Sequence, residues 1–152
     1  MSQDALAFRV FNEIGIIEQL SRTLFEKVMP KGMTLPQFSV LNHFVRLQQD
    51  SSPARLANAF QVTKQTMTST LQRLERNGLI TIRPDPDDGR AKIVAITKKG
   101  IAARNACLSA LGPAIARVSA LMPKKEFEIL LPHLSKLRQS LDEDRNDDRH
   151  GS

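Results

Sequence analysis

Between residues 63 and 96 the hydrophobic period of this chain changes from that of a helix to that of a strand, with no loop of any length to separate the two. Met67, Leu71 and Leu74 fall at four- and three-residue steps, one face of an α-helix. Asn77-Gly78 then supplies a C-cap pair. Immediately afterwards Ile80, Ile82 and Pro84 alternate with Thr81 and Arg83, the two-residue period of a half-buried strand. A second strand follows at Ile93, Val94 and Ile96, with basic Lys92 before it. The segment between them, Pro84-Asp85-Pro86-Asp87-Asp88-Gly89-Arg90, reads as a stiff polar turn, with Gly89 letting the chain bend tightly. A helix that runs straight into a hairpin leaves few folds open.

The residues upstream narrow them further. Ser52-Pro53 opens a short helix, with Ser52 as cap and Pro53 at the first position, where its missing N–H costs nothing. Leu56, Ala57 and Phe60 face inward, and the helix stops near Gln61. Thr63 caps the next helix at once, with Val62 packing back as a staple. Two helices joined by so short a turn must cross, and Ala57 is small enough to let them. This is the spacing of a helix-turn-helix, and the hairpin after it stands where a wing would.

The flanks are helical. Asp4 to Met29 carries Phe8, Phe11, Ile14, Leu20, Leu24 and Val28 as an apolar stripe, widened by Ile17 and Phe25, and Pro30 and Gly32 end it. Thr34-Leu35-Pro36-Gln37 is a capping box that starts the next helix, with Phe38, Leu41, Phe44, Val45 and Leu47 inward. Thr97 caps a long helix toward Leu121, with a kink or break expected at Gly112-Pro113. Met122-Pro123 begins the last helix, apolar at Phe127, Leu130, Leu131, Leu134, Leu137 and Leu141, its hydrogen-bond ladder interrupted at Pro132. Beyond Leu141 the chain is charged and lacks apolar anchors, which predicts a disordered tail over 142–152. The fold class expected is mainly α with a small β-hairpin wing (α+β), a winged helix-turn-helix over 34–97 with a terminal-helix dimerisation region over 4–29 and 98–141. Residues 1–141 then form a single domain. The terminal helices are too apolar for one small core, so they are expected to pair with a second copy.

Charge points the same way. The 152 residues carry a formal charge of +6, and the tail holds five acids against two arginines, so residues 1–141 carry +9. From Arg55 to Gly100 nine basic residues face four acidic ones. That excess suits a polyanion. Aromatics make up only 5%, and nothing resembles the evenly spaced strands of a β-sandwich. Cys107 is the one cysteine, a buried hydrophobe by expectation, which fits a reducing cytoplasm. No apolar run approaches the roughly 18 residues of a membrane span. There is no metal-ligand spacing, no phosphate-cradling glycine loop and no nucleophile–base grouping. No cofactor and no enzymatic activity are expected, and His43 and His133 read as packing or surface residues.

The residues expected to meet double-stranded DNA follow. Thr63, Lys64, Gln65, Thr68 and Ser69 lie at the N-terminal end or on the polar side of the second motif helix. Gln65 can read adenine, Lys64 can reach guanine or a phosphate, and threonine methyls can meet thymine methyls. Arg90, at the tip of the stiff loop, suits a narrow minor groove, with Asp88 bracing its guanidinium. Arg55, Arg73, Arg76, Arg83 and Lys92 are phosphate contacts or wing supports. Phe11, His43, Phe44 and Arg46 offer apolar area and anion partners for an effector pocket where the second helix meets the dimer helices. The alternative is a winged-helix protein-interaction module without specific DNA binding.

These motifs resemble the MarR family of bacterial transcription regulators over nearly the whole chain. Asp85-Pro86-Asp87-Asp88-Gly89-Arg90 is similar to the family's Asp-Pro-x-Asp-x-Arg wing, and Ala91 to Gly100 to its strand and Thr-x-x-Gly helix start. Leu74-Glu75-Arg76-Asn77-Gly78-Leu79-Ile80 resembles its Leu-Glu-x-x-Gly-Leu-Ile/Val stretch. The resemblance implies an obligate homodimer with intertwined terminal helices on a near-palindromic operator. The second motif helix would enter the major groove and the wing the adjacent minor groove. Asp88 would stand where the family's bracing aspartate does. Repression relieved by a small aromatic or phenolic molecule is the commonest behaviour implied. Some members sense oxidants through an N-terminal cysteine, which this chain lacks.

Overall fold

A computed structural model describes residues 1–150, with side chains to residue 147. The order is α1 (Gln3–Glu26), α2 (Leu35–Leu47), α3 (Pro53–Ala59), α4 (Lys64–Arg76), β1 (Ile80–Pro84), β2 (Lys92–Ile96), α5 (Lys98–Ser119) and α6 (Lys124–His150). The architecture is mainly helical with one antiparallel hairpin, as expected, and the boundaries follow the caps. Ser2, Thr34, Ser52 and Thr63 each accept a backbone N–H three residues on, and at Thr34 both halves of the capping box form with Gln37. The chain divides into two compact units, Met1–Gly112 and Pro113–Ser152.

The first unit holds the core. Val40, Leu41 and Phe44 of α2 meet Leu56 and Ala57 of α3, Met67, Leu71 and Leu74 of α4, Leu79 and Ile80 at the start of the hairpin, and Val94 of β2. The hairpin is therefore not an appendage, since its inward face completes the helical core. Strand register pairs Ile80 with Ile96, Ile82 with Val94 and Pro84 with Lys92. A third backbone segment joins it. Ser51 donates to the Val94 carbonyl at 3.0 Å and accepts from the Val94 N–H at 2.8 Å, so β2 is paired on both sides.

The start of α5 is welded to the end of α4. Thr97 donates from its backbone to the Leu79 carbonyl (3.1 Å) and from its hydroxyl to the Gly78 carbonyl (2.7 Å), and accepts from Gly100 N–H (3.0 Å). Gly78 has φ +72, a conformation that L side chains rarely adopt. Further along α5, the Arg104 guanidinium donates twice to Asn42 Oδ1 on α2, at 2.9 and 3.1 Å.

α1 buries none of its residues within the single chain. Phe8, Phe11, Ile17 and Leu20 stand exposed. In the second unit Leu130, Leu131, Leu134 and Leu141 of α6 do the same. Among the described residues no single helix is long and apolar enough to cross a membrane.

Three expectations are corrected. The first helix ends at Glu26 rather than Met29, capped by Lys27. No break occurs at Gly112-Pro113, since Pro113 is carried inside α5, as Pro132 is inside α6. Each proline removes one donor, and the turns on either side keep the helix. The tail 142–152 was expected to be disordered, yet α6 continues to His150. Charge spacing supports those turns: Asp142 accepts from Arg138 at 3.4 Å and from Arg145 at 2.9 Å, pairs four and three residues apart that favour helix. Gly151 and Ser152, also part of that expectation, lie outside the described residues.

Candidate nucleic-acid interface

The α3–α4 turn is built by backbone, not by chance proximity. Phe60 caps α3, Gln61 turns through φ 53, and the Val62 N–H donates to the Ala57 carbonyl at 3.0 Å. The Thr63 hydroxyl accepts from Thr66 N–H at 3.1 Å and lies 3.0 Å from the Thr66 hydroxyl. Thr63 is thus committed to capping α4. Met67, Leu71 and Leu74 are buried, which turns the opposite face of α4 outward. Helical geometry puts Gln65, Ser69, Gln72 and Arg76 along that outer face, at steps of four, three and four. All four are exposed.

The wing tip is held by its own aspartates. Asp85 N–H donates to the Ala91 carbonyl (3.1 Å) and Ala91 N–H to the Asp88 carbonyl (3.0 Å), closing the loop across its neck and its tip. Asp85 Oδ1 accepts from Asp87 N–H at 2.9 Å, and Asp88 Oδ1 from Arg90 N–H at 3.1 Å. Asp88 therefore braces the backbone of Arg90, where the sequence reading had placed it on the guanidinium. A side chain two residues back reaches an amide without extending, the Asx-turn geometry. Gly89 is not among the residues with positive φ, so its freedom is not what makes the turn. The Arg90 side chain is exposed, and no described residue pairs with it.

Between α4 and the wing lies a groove of about 610 Å³. Lys64, Thr68, Gln72 and Glu75 form one wall, Arg83, Arg90 and Lys92 the other, and Ser52 and Pro53 close an end. Four cationic side chains thus share the groove with one carboxylate. Arg83 is also paired with Asp50 at 3.5 Å, tying β1 to the α2–α3 connection. Arg55 meets Lys92 in an adjoining cleft of about 380 Å³. Arg73 and Arg76 line a different cleft, of about 280 Å³, beside Thr34 and Gln37.

Of the residues expected at the interface, the groove therefore gathers Lys64, Thr68, Arg90 and Lys92. Arg55 adjoins it. Gln65 and Ser69 stand on the outward face of α4. Arg73 is turned away from the groove. Gln72 and Glu75 are additions. They stand two and three turns along α4 from Lys64, and counting from Lys64 by helical steps would have found them.

The effector quartet does not assemble. Phe44 is 2% exposed and belongs to the core, so it cannot line an open pocket in this state. The α2 stripe that buries Val40 and Leu41 also carries Phe44, one turn on, inward. His43 packs its ring 6.2 Å from Phe44 and 5.3 Å from Phe60. Burial, and then the Arg46 charge, hold its pKa below the usual histidine value. Arg46 and Phe11 are exposed. The open space lies elsewhere, in a cleft of about 390 Å³ shared by Glu18, Arg22 and Glu26 of α1 with Ser39 of α2, Phe60 and Met67. Cys107 is buried in α5, and burial pushes its thiol pKa up, the opposite of what a reactive thiolate needs.

The family model described as "MarR family" matches residues 31–91, which takes in α2 to the wing tip. The transcriptional activatory protein BadR of Rhodopseudomonas palustris is 31% identical over 97 residues, 62% of this chain. The match spans about half of that relative's length, 54%. The transcriptional regulator BldR from Sulfolobus solfataricus superimposes with a TM-score of 0.74 at 26% identity, covering 92% of this chain and 99% of that one. Wild-type MarR from E. coli, in its apo form, gives 0.71 at 25% identity, covering 83% and 93%.

Proposed function

We propose that this chain, which matches the MarR family model over residues 31–91, is a member of that family: a homodimeric, sequence-specific regulator of transcription that acts on double-stranded DNA in the cytoplasm. The observation that carries this reading is the groove between α4 and the wing. It has a polar helix face on one side, a stiff loop ending in an unpaired Arg90 on the other, and a cationic excess within. Gln65 and Ser69 read base edges in the major groove, Arg90 enters the minor groove, and Lys64, Lys92 and Arg55 hold phosphates. The exposed apolar faces of α1 and α6 pair two copies, so the operator is a near-palindrome with half-sites about one helical turn, ~34 Å, apart.

Repression follows if the operator overlaps a promoter. BadR is named an activatory protein, so operator placement, not the fold, sets the sign. Release is assigned to a small aromatic or phenolic molecule. The cleft beside α1 supports this better than the Phe11–His43–Phe44–Arg46 quartet, because an occupant there touches both α1 and Met67 of α4.

The test is selection of duplexes from a random pool by the wild-type protein, followed by anisotropy on single-base variants of the winner. Gln65→Ala is expected to lose about 1–3 kcal/mol of discrimination at one base position, and Lys92→Ala to weaken all variants evenly. No salt-sensitive enrichment of any duplex would overturn the reading.

A further inference from the structure

The one carboxylate in the groove is out of place by charge, and its contact explains why it is there. Val94 spends both of its backbone groups on Ser51. The Ile82–Val94 pair is therefore a non-hydrogen-bonded one, and the Ile82 N–H must point away from β2, off the free edge of β1. Glu75 Oε2, on α4, accepts that N–H at 3.1 Å. The contact crosses the Asn77–Leu79 turn and ties the last turn of α4 to the middle of β1. Without it, α4 and β1 on the groove side are joined by the turn and by packing alone.

We propose that Glu75 is a positioning residue that sets the separation of recognition helix and wing through the Ile82 amide. Its acceptor oxygen does this work, and its negative charge opposes DNA binding. The proposal rests on the DNA-binding reading above and adds a residue that touches no base or phosphate. It predicts opposite signs for two substitutions. Glu75→Gln keeps an acceptor of the same reach and removes the charge. Glu75→Ala removes both. If charge alone mattered, both would tighten binding alike.

The experiment uses the full-length protein and the duplex it selects from a random pool. Expected are a Glu75→Gln Kd about two- to threefold tighter than wild type, and a Glu75→Ala Kd about five- to tenfold weaker than Glu75→Gln. In an Arg90→Ala background the gap between the two variants shrinks to within about twofold, because the wing no longer delivers its arginine. A purely structural loss would persist there unchanged. Amide exchange in the free protein gives a readout that needs no DNA: Ile82 is protected in wild type and Glu75→Gln and exchanges faster in Glu75→Ala. Glu75→Ala binding as tightly as Glu75→Gln, a gap indifferent to Arg90, or unchanged Ile82 exchange would each overturn the positioning role. Failure of the wild type to enrich any duplex would instead overturn the DNA-binding reading, and this role with it.

Discussion

Replacing Gly100 with alanine should cost more than its single methyl group suggests. A Cβ at residue 100 would lie 2.0 Å from the Leu79 carbonyl oxygen and 2.8 Å from Ile96 Cγ1, where real Cβ atoms essentially never come under 3.0 Å. The start of α5 must therefore withdraw by about 1 Å, and no rotamer can absorb the shift because the obstacle is backbone. Withdrawal stretches the two bonds that Thr97 makes to Leu79 and Gly78. Overpacking of this kind costs about 1–3 kcal/mol. Two weakened hydrogen bonds add about 1 kcal/mol each. Alanine's better helix propensity returns at most about 1 kcal/mol. The net expectation is a loss of about 3 kcal/mol, read from urea unfolding at matched protein concentration, since self-association of the kind proposed would add to apparent stability. Gly89→Ala is the control. Nothing lies within 4 Å of its added Cβ, and its change should stay within about 0.5 kcal/mol. A Gly100→Ala loss below about 1 kcal/mol, or an equal loss at Gly89, would refute the close-approach argument.

Three further outcomes are expected. Arg90→Ala should weaken operator binding by about 1–3 kcal/mol and Arg73→Ala by clearly less, although each removes one charge, because only Arg90 lines the groove; equal losses in a salt-series anisotropy titration would count against this. Asp88→Asn should keep the acceptor for the Arg90 amide and bind at least as well as wild type, whereas Asp88→Ala should bind more weakly, and tighter binding by Asp88→Ala would show that charge counts and the turn does not. His43 has a folded-state pKa below its unfolded value, so the unfolded chain takes up the proton first and stability falls as pH drops through the unfolded histidine value of about 6.5. The penalty is absent above the unfolded pKa, and a stable His43→Gln variant should show a flatter profile across that window in parallel unfolding curves.

What could be read from the sequence was local. The caps at Thr34, Ser52, Thr63 and Thr97 depend on residues three apart, and the change of period at Ile80 depends on neighbours alone. The buried set Met67, Leu71 and Leu74 follows from the same arithmetic. The departures are of a different kind. Phe44 reads equally well as pocket or core, and only the packing of α3 and the hairpin against α2 decides. Arg73 and Arg90 look alike as basic residues, yet the rotation of α4 sends Arg73 toward Thr34. Asp88 was correctly tied to Arg90 but to the wrong atom, since side-chain and amide partners share one sequence offset. The bonds of Ser51 to Val94 and of Glu75 to Ile82 join residues from separate elements and left no sequence pattern to find.

The Ser51–Val94 pairing carries a kinetic consequence. The β1–β2 hairpin closes over a short loop and can form early, within about 1–10 μs for an isolated hairpin. The Ser51 segment reaches Val94 only after α3, α4 and β1 have been laid down between them, a longer loop with a larger closure entropy. The wing therefore acquires its third backbone segment late. Ser51→Pro, which removes the N–H that Ser51 donates to the Val94 carbonyl, should accelerate unfolding and leave the refolding rate nearly unchanged, while mutations in the hairpin itself share their effect between the two limbs. Of the several contacts that tie the wing to the body, the Ser51 pairing is then the last to form and the first that a partly unfolded protein releases.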